Sequence, residues 1–210
     1  MKFNKVLVAA AAVAACSTSF AGVLLSEGFD SVASLAGKGW AQQNSGGLGA
    51  GWFQGNTAVF SAASGAANSY AAANWVGTTT TISDWLFTPV LALANSVSLN
   101  FDLRLLGDSY LDTVEVYVST NGSSTAVADY SLLTTFSSVT DTGWNPQSVA
   151  VSGVSGIQNG RLAFRYFVAN TNTAGNYVGI DNVSVVPEPA SLALVSLALV
   201  GALTARRRSA

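Results

Sequence analysis

The chain contains no histidine, a single cysteine at position 16 and only four prolines in 210 residues, and just 10% of its residues are charged. Each shortage removes a class of chemistry. Without histidine there is no Ser-His-Asp or Cys-His nucleophile, no imidazole general base and no ordinary histidine-bearing zinc or iron site. No Gly-x-Ser-x-Gly elbow occurs either. A Ser-Lys dyad would depend on Lys38, and a glycosidase would need two of the dispersed carboxylates to meet in a cleft. Catalysis is therefore not expected. One cysteine allows no disulfide within the chain, so the fold must stand on packing or on a bound ion. Residues 22–186 carry four cations (Lys38, Arg104, Arg161 and Arg165) against ten carboxylates, a net charge of −6 that argues against nucleic acid as a partner.

What is present begins with the two ends. Lys2 and Lys5, the apolar residues 6–15 and the small-residue site Ser19-Phe20-Ala21 read as a secretory signal peptide over residues 1–21, to be cut by signal peptidase. Val13-Ala14-Ala15-Cys16 also resembles a lipoprotein box, so lipidation of Cys16 is the alternative. The cut after Ala21 follows the fuller small-x-small site and is preferred. At the other end, Pro187-Glu188-Pro189 leads into an apolar run over residues 190–205 that stops at Arg206, Arg207 and Arg208. Sixteen helical residues at ~1.5 Å each span roughly 24 Å, short of a hydrocarbon core of about 30 Å, so the expectation is transient insertion. The prolines hold the preceding strip out of helix, and the arginines favour the cytoplasmic side of an inner membrane.

This arrangement resembles the PEP-CTERM sorting signal of Gram-negative bacteria. The resemblance implies recognition by an exosortase, thought to cut at or near Pro187-Glu188-Pro189, in bacteria that make exopolysaccharide. A plain C-terminal membrane anchor is the alternative reading of the same residues.

Residues 22–186 are expected to form one domain. Short alternating runs bounded by Gly, Asn and Asp predict an all-β fold, a sandwich or barrel. Residues 96–106 are the cleanest strand, with Val97, Leu99, Phe101, Leu103 and Leu105 on one face. Gly107-Asp108-Ser109 turns the chain, and residues 112–120 follow with Val114, Val116 and Val118 inward. Asn121-Gly122 reads as a tight turn. Further strands are expected over 130–136, 147–151, 160–168 and 177–186, with Pro146 marking a loop or an edge. Residues 36–81 read as long loops with short strands and isolated aromatics.

Glu27-Gly28-Phe29-Asp30, Ser83-Asp84-Trp85-Leu86-Phe87-Thr88-Pro89, Val114-Glu115-Val116-Tyr117-Val118 and Gly179-Ile180-Asp181-Asn182-Val183 are similar to motifs of the choice-of-anchor J domain, itself related to cleaved-adhesin and MAM-type jelly rolls. The resemblance implies a jelly-roll-like antiparallel β-sandwich and no activity. It also implies a structural calcium ion held by Glu27, Asp30 and Asp181, with Asp84 and Asn182 as weaker candidates; carboxylates from both ends of the domain would close it as a disulfide would. Trp40, Trp52, Trp75 and Trp144 lie in loop-like regions, and Trp52 and Trp75 are candidates for stacking on a sugar ring. Trp85 and Phe87 read as core, and Arg165 as paired with a carboxylate. Together these features lead to the expectation of an exported, non-catalytic protein of the outer surface or extracellular matrix, associated with exopolysaccharide in a biofilm. A carbohydrate-binding module recognising one glycan is the alternative.

Overall fold

The computed structural model of the protein describes residues 22–45, 51–77, 81–95 and 97–187. Residues 1–21, read above as a signal peptide and including Cys16, the motif residues Glu188 and Pro189, the apolar run 190–205 and the arginines Arg206, Arg207 and Arg208 lie outside the described residues. Among the described residues no helix is long and apolar enough to cross a membrane.

The first half of the domain contains β1 (Leu25–Glu27), β2 (Ala41–Asn44), β3 (Phe53–Gln54), β4 (Ala71–Asn74), β5 (Ile82–Phe87) and β6 (Leu91–Leu93). The second half contains β7 (Val97–Leu105), β8 (Asp112–Ser119), β9 (Ser131–Ser138), β10 (Asn145–Ala150), β11 (Gln158–Val168) and β12 (Tyr177–Pro187). Two 3-10 segments, Val32–Lys38 and Val127–Asp129, are the helical elements described. The strands form two antiparallel sheets. One runs β10-β7-β12-β4-β3 with β1 also on β12, and the other runs β2-β5-β11-β8-β9 with β6 also on β11. The expected β-sandwich is thus the fold.

The alternation legible in the sequence decides which faces meet. Val97, Leu99, Phe101, Leu103 and Leu105 of β7 are all buried while the residues between them are half-buried. They pack against Val114, Val116 and Val118 of β8 and Leu162, Phe164, Tyr166 and Val168 of β11. Phe101 meets Phe164 edge-on at 5.0 Å. Burying each such side chain contributes about 1.5–3 kcal/mol, enough in sum to hold the sandwich without a disulfide. Pro146 lies in β10, the edge strand, where a missing N–H costs no ladder bond.

Three expectations gain detail. Residues 36–81 are long loops with short strands, as expected, and one of these strands, β4, is alanine-rich and buried beside β12, because the chain there must be thin. Ala72 sits opposite Gly179, and a Cβ on Gly179 would press on Trp144, Phe60 and Tyr70. Asn121-Gly122 opens a tight turn as expected, closed by the Ser124 N–H on Asn121 O at 2.9 Å, and the connection then runs through the Val127–Asp129 turn before β9. Trp85 and Phe87 are buried as expected, but in a separate cluster with Tyr130 and Ala163 rather than between the sheets. Period two places them on the opposite face of β5 from Ile82 and Leu86.

Between those two core residues sits Asp84, fully buried, with one carboxylate oxygen accepting from the Gly51 N–H at 3.2 Å and the other lacking a partner. Burial pushes this carboxyl above its ordinary range, and the Gly51 hydrogen bond offsets that only in part. A raised folded value means that the stability is full below about pH 3.9 and falls as pH rises through the folded value. We expect the thermal midpoint to decline from mildly acid to neutral pH, and Asp84→Asn to flatten part of that decline; a midpoint equally steep in the variant would assign the slope to other groups.

Candidate functional site

At one end of the sandwich three connections converge. They are the residues after β4, the β7–β8 turn and the β11–β12 loop. Asp112, the first residue of β8, ties the last two together. It is fully buried and accepts hydrogen bonds from the N–H of Gly107 (2.8 Å), the hydroxyl of Tyr166 (3.0 Å), and the N–H groups of Asn176 (2.7 Å) and Tyr177 (3.3 Å). Its carboxyl is pushed up by burial, and these donors oppose the shift. Leu111 forms a bridge with Ala174, and Leu111 O accepts from the Gly175 N–H at 3.0 Å.

The turn between β7 and β8 is held under strain. Gly107 has φ 64°, and any Cβ there would run into the Val139 and Thr140 backbone, so only glycine fits. Asp108 and Ser109 follow at φ 51° and 74°, left-handed values that non-glycine residues rarely adopt. The result is that Asp108 and Tyr110 project at the surface. Strain of this kind concentrates at functional sites.

Trp75 completes the arrangement. Its backbone N–H donates to Asn176 O and its indole Nε1 to Thr171 O, both at 2.7 Å, so the ring is locked. It remains 42% exposed, and Tyr110 is 50% exposed. Between them lies a groove of about 650 Å³ with Asn74, Asp108, Asn172 and Asn176 among its walls. Two exposed aromatic faces with amides and one carboxylate around them make a surface suited to a polar ligand with apolar faces.

The structure sorts the other candidates. Trp52 is corrected: its indole is 3% exposed in the main core and donates through Nε1 to Asp84 O at 3.0 Å, so no ring face is free for a sugar. Trp40 is buried likewise, and Trp144 is half-buried against Phe60 and Tyr70. Tyr110 escaped the sequence reading. Its signal was present in Gly107-Asp108-Ser109-Tyr110, a turn sequence ending in an aromatic, but a turn does not say which way that ring faces. Arg165 pairs with Glu115 at 3.0 Å, as expected.

Glu27, Asp30 and Asp181 do not form a ligand cluster. Glu27 accepts from Lys38 Nζ at 2.9 and 3.1 Å and from the Phe29 N–H at 3.0 Å. Asp30 accepts from the Ser69 hydroxyl at 2.9 Å. Asp181, fully buried with its carboxyl pushed up by that burial, accepts from the N–H groups of Ala63, Ser64 and Asn182. Among the described residues no group of three or more acidic or cysteine ligands comes together. As placed, these carboxylates face hydrogen-bond donors rather than one another and do not fit calcium. They staple the 61–69 loop and the Val32–Lys38 turn onto β1 and β12 instead. We expect equal melting midpoints in calcium and in chelator. A calcium-dependent rise lost in Asp181→Ala would restore the ion.

Pro187 is the last residue of β12 and lies opposite Val97 of β7. Tyr177, at the start of the same strand, lines the groove. At about 3.3 Å per residue the groove and Pro187 lie roughly 33 Å apart, at opposite ends of the sheet.

Comparison with known proteins bears on both ends of this strand. Residues 185–208 match the PEP-CTERM protein-sorting motif. A motif of this kind implies an extracellular protein sorted by an exosortase. No curated protein matches the chain. Among solved structures, the K1 cleaved adhesin domain of Lys-gingipain from Porphyromonas gingivalis W83 is similar with a TM-score of 0.59 and 21% identity, covering 78% of this chain and 98% of that one. The K2 domain of Lys-gingipain gives 0.59 and 16% over 77% and 98%, and the K3 domain from the same organism as K1 gives 0.57 and 17% over 78% and 97%. At these identities the likeness concerns the fold. The chain therefore carries a PEP-CTERM protein-sorting motif that begins in the final strand of a β-sandwich similar to the cleaved adhesin domains.

Proposed function

We propose that this is a non-catalytic protein of the cell surface or extracellular matrix that associates with exopolysaccharide through the Trp75–Tyr110 groove. The observation that carries the reading is the groove itself: two exposed aromatic rings, one locked by its own hydrogen bonds, flanked by amide side chains on backbone tied down by Asp112. A sugar ring stacks on an indole through its apolar face while its hydroxyls meet amides at the edge. Rigid aromatic anchors lose little entropy on binding, so a shallow groove suffices.

The non-catalytic part of the reading rests on the carboxylates. Hydrolysis of a glycan needs two of them on either side of the bond, about 5–9.5 Å apart. Among the described residues Asp108 is the one charged residue lining this groove, and Asp112 beneath is sealed by four donors. Processing at Pro187-Glu188-Pro189 by an exosortase, with passage of residues 190–205 through an inner membrane, belongs to the same proposal. It would leave the groove at the far end of β12 from the processing site.

Affinity electrophoresis of the full chain against immobilised polysaccharides tests the glycan reading. Trp75→Ala and Tyr110→Ala are each expected to weaken retardation about five-fold or more, on the scale of the about 1–3 kcal/mol that an aromatic stack on a nucleobase contributes. Tyr110→Ala should leave the melting midpoint within a few degrees of the parent, and Trp75→Ala should lower it somewhat more, because the half-exposed Trp75 ring also gives up its bond to Thr171 O. Retardation unchanged in both variants would move the glycan elsewhere or remove it.

A further inference from the structure

The charge inventory around the groove goes one step further, on the footing that the groove binds glycan. The described residues include four cations, and each is engaged elsewhere. Lys38 pairs with Glu27 at 2.9 Å, Arg104 with Asp141 at 2.6 Å and Arg165 with Glu115 at 3.0 Å. Arg161 donates to the carbonyls of Gly39 and Thr88. None of the four lines the groove. What lines it instead is Asp108, exposed and with no hydrogen-bond partner for its carboxylate among the described residues, held outward by a left-handed backbone. The other polar side chains at the groove are neutral: Asn74, Asn172 and Asn176 carry amides, and Tyr110, Thr171 and Tyr177 hydroxyls.

From this distribution we infer that the groove takes a polysaccharide of neutral or amine-bearing sugars and turns away uronate, sulfated and phosphorylated chains. A polyanion laid between Trp75 and Tyr110 would meet Asp108 with no cation to compensate, on a domain already of net negative charge. A neutral chain meets only amides, hydroxyls and ring faces. A chain with free amines gains Asp108 as a counter-ion, a modest gain because the pair is exposed to water and screened by salt. Specificity then comes from repulsion of the wrong ligand as much as from attraction to the right one.

Titration calorimetry of the full-length protein at low salt, with β-1,4-linked hexamers of glucose, N-acetylglucosamine, glucosamine and galacturonate as probes, tests this directly. Expected is binding of at least one of the first three, lost in Trp75→Ala, with galacturonate at least ten-fold weaker. Asp108→Asn should weaken the glucosamine hexamer about three- to five-fold, leave the neutral hexamers unchanged and narrow the gap to galacturonate. Galacturonate binding as tight as the neutral hexamers, and lost in Trp75→Ala, would overturn the charge selection while leaving the groove as a glycan site. No binding by any of the four probes would overturn the glycan reading and this inference together.

Discussion

Replacing Asp112 with alanine is expected to cost the domain about 3–5 kcal/mol and to abolish binding at the groove. The substitution removes one acceptor group and strands four donors at once: the N–H groups of Gly107, Asn176 and Tyr177 and the hydroxyl of Tyr166, which burial keeps protonated far above its ordinary range. An unsatisfied buried donor costs about 1–3 kcal/mol, and relief of the desolvated carboxylate returns only part of the sum. Asp112→Asn separates the contributions. It keeps the volume and one acceptor oxygen but turns an NH₂ toward a donor, so its loss should be smaller. Denaturant unfolding followed by tryptophan fluorescence measures both. A loss under 1 kcal/mol for the alanine variant would mean that the two loops hold together without this residue. Tyr110→Ala is the useful contrast, because it should weaken binding while keeping stability.

The second large effect is expected at Tyr70, whose replacement by alanine should cost about 3–5 kcal/mol. The ring is fully buried, stacks on Phe60 at 5.1 Å and meets Trp144 at 5.5 Å. Its hydroxyl donates to the carbonyls of Asn56 and Phe60 and lies 3.1 Å from the hydroxyl of Tyr177, the residue that lines the groove. A Cβ on Gly55 or Gly179 would press into the same ring, so the surrounding chain has been thinned to seat it. Collapse onto the cavity is limited where its walls are the Gly55 and Gly179 backbone. Tyr70→Phe keeps the ring and loses only the hydroxyl bonds, so about 1–2 kcal/mol is expected. If both variants lost the same amount, the hydroxyl network rather than the packing would be the main contribution.

How much of this could be seen in the sequence depends on the range of the interaction involved. Period two over residues 97–105 is a local property, and it identified the buried face of β7 residue by residue. β4 escaped because its alanines have no strand preference of their own; its place is set by Tyr70, Phe60 and Gly179, which are brought to it from elsewhere in the chain. Trp52 and Trp75 look alike in sequence, each an isolated tryptophan among small residues. One is drawn into the core by a hydrogen bond to the backbone of β5, thirty-two positions away, and the other is locked at the surface by a loop ninety-six positions away.

The carboxylates make the same point with charge. Glu27 and Asp181 lie on adjacent strands, since β1 lies on β12 with Glu27 opposite Val183. Whether they hold an ion or a loop turns on what else points at them, and Lys38 and the 61–69 backbone arrive from outside any motif.

The sequence alone therefore determined the class of fold, the sorting motif at the C-terminal end and the chemistries that a chain without histidine forgoes, because each of these follows from composition or from short-range order. Only the tertiary structure decided that Trp75, Tyr110 and Asp108 share one groove, that Asp112 supports it from below, and that every described cation is engaged elsewhere. Those facts depend on contacts between residues far apart in the chain, and such contacts exist only once the two sheets have packed.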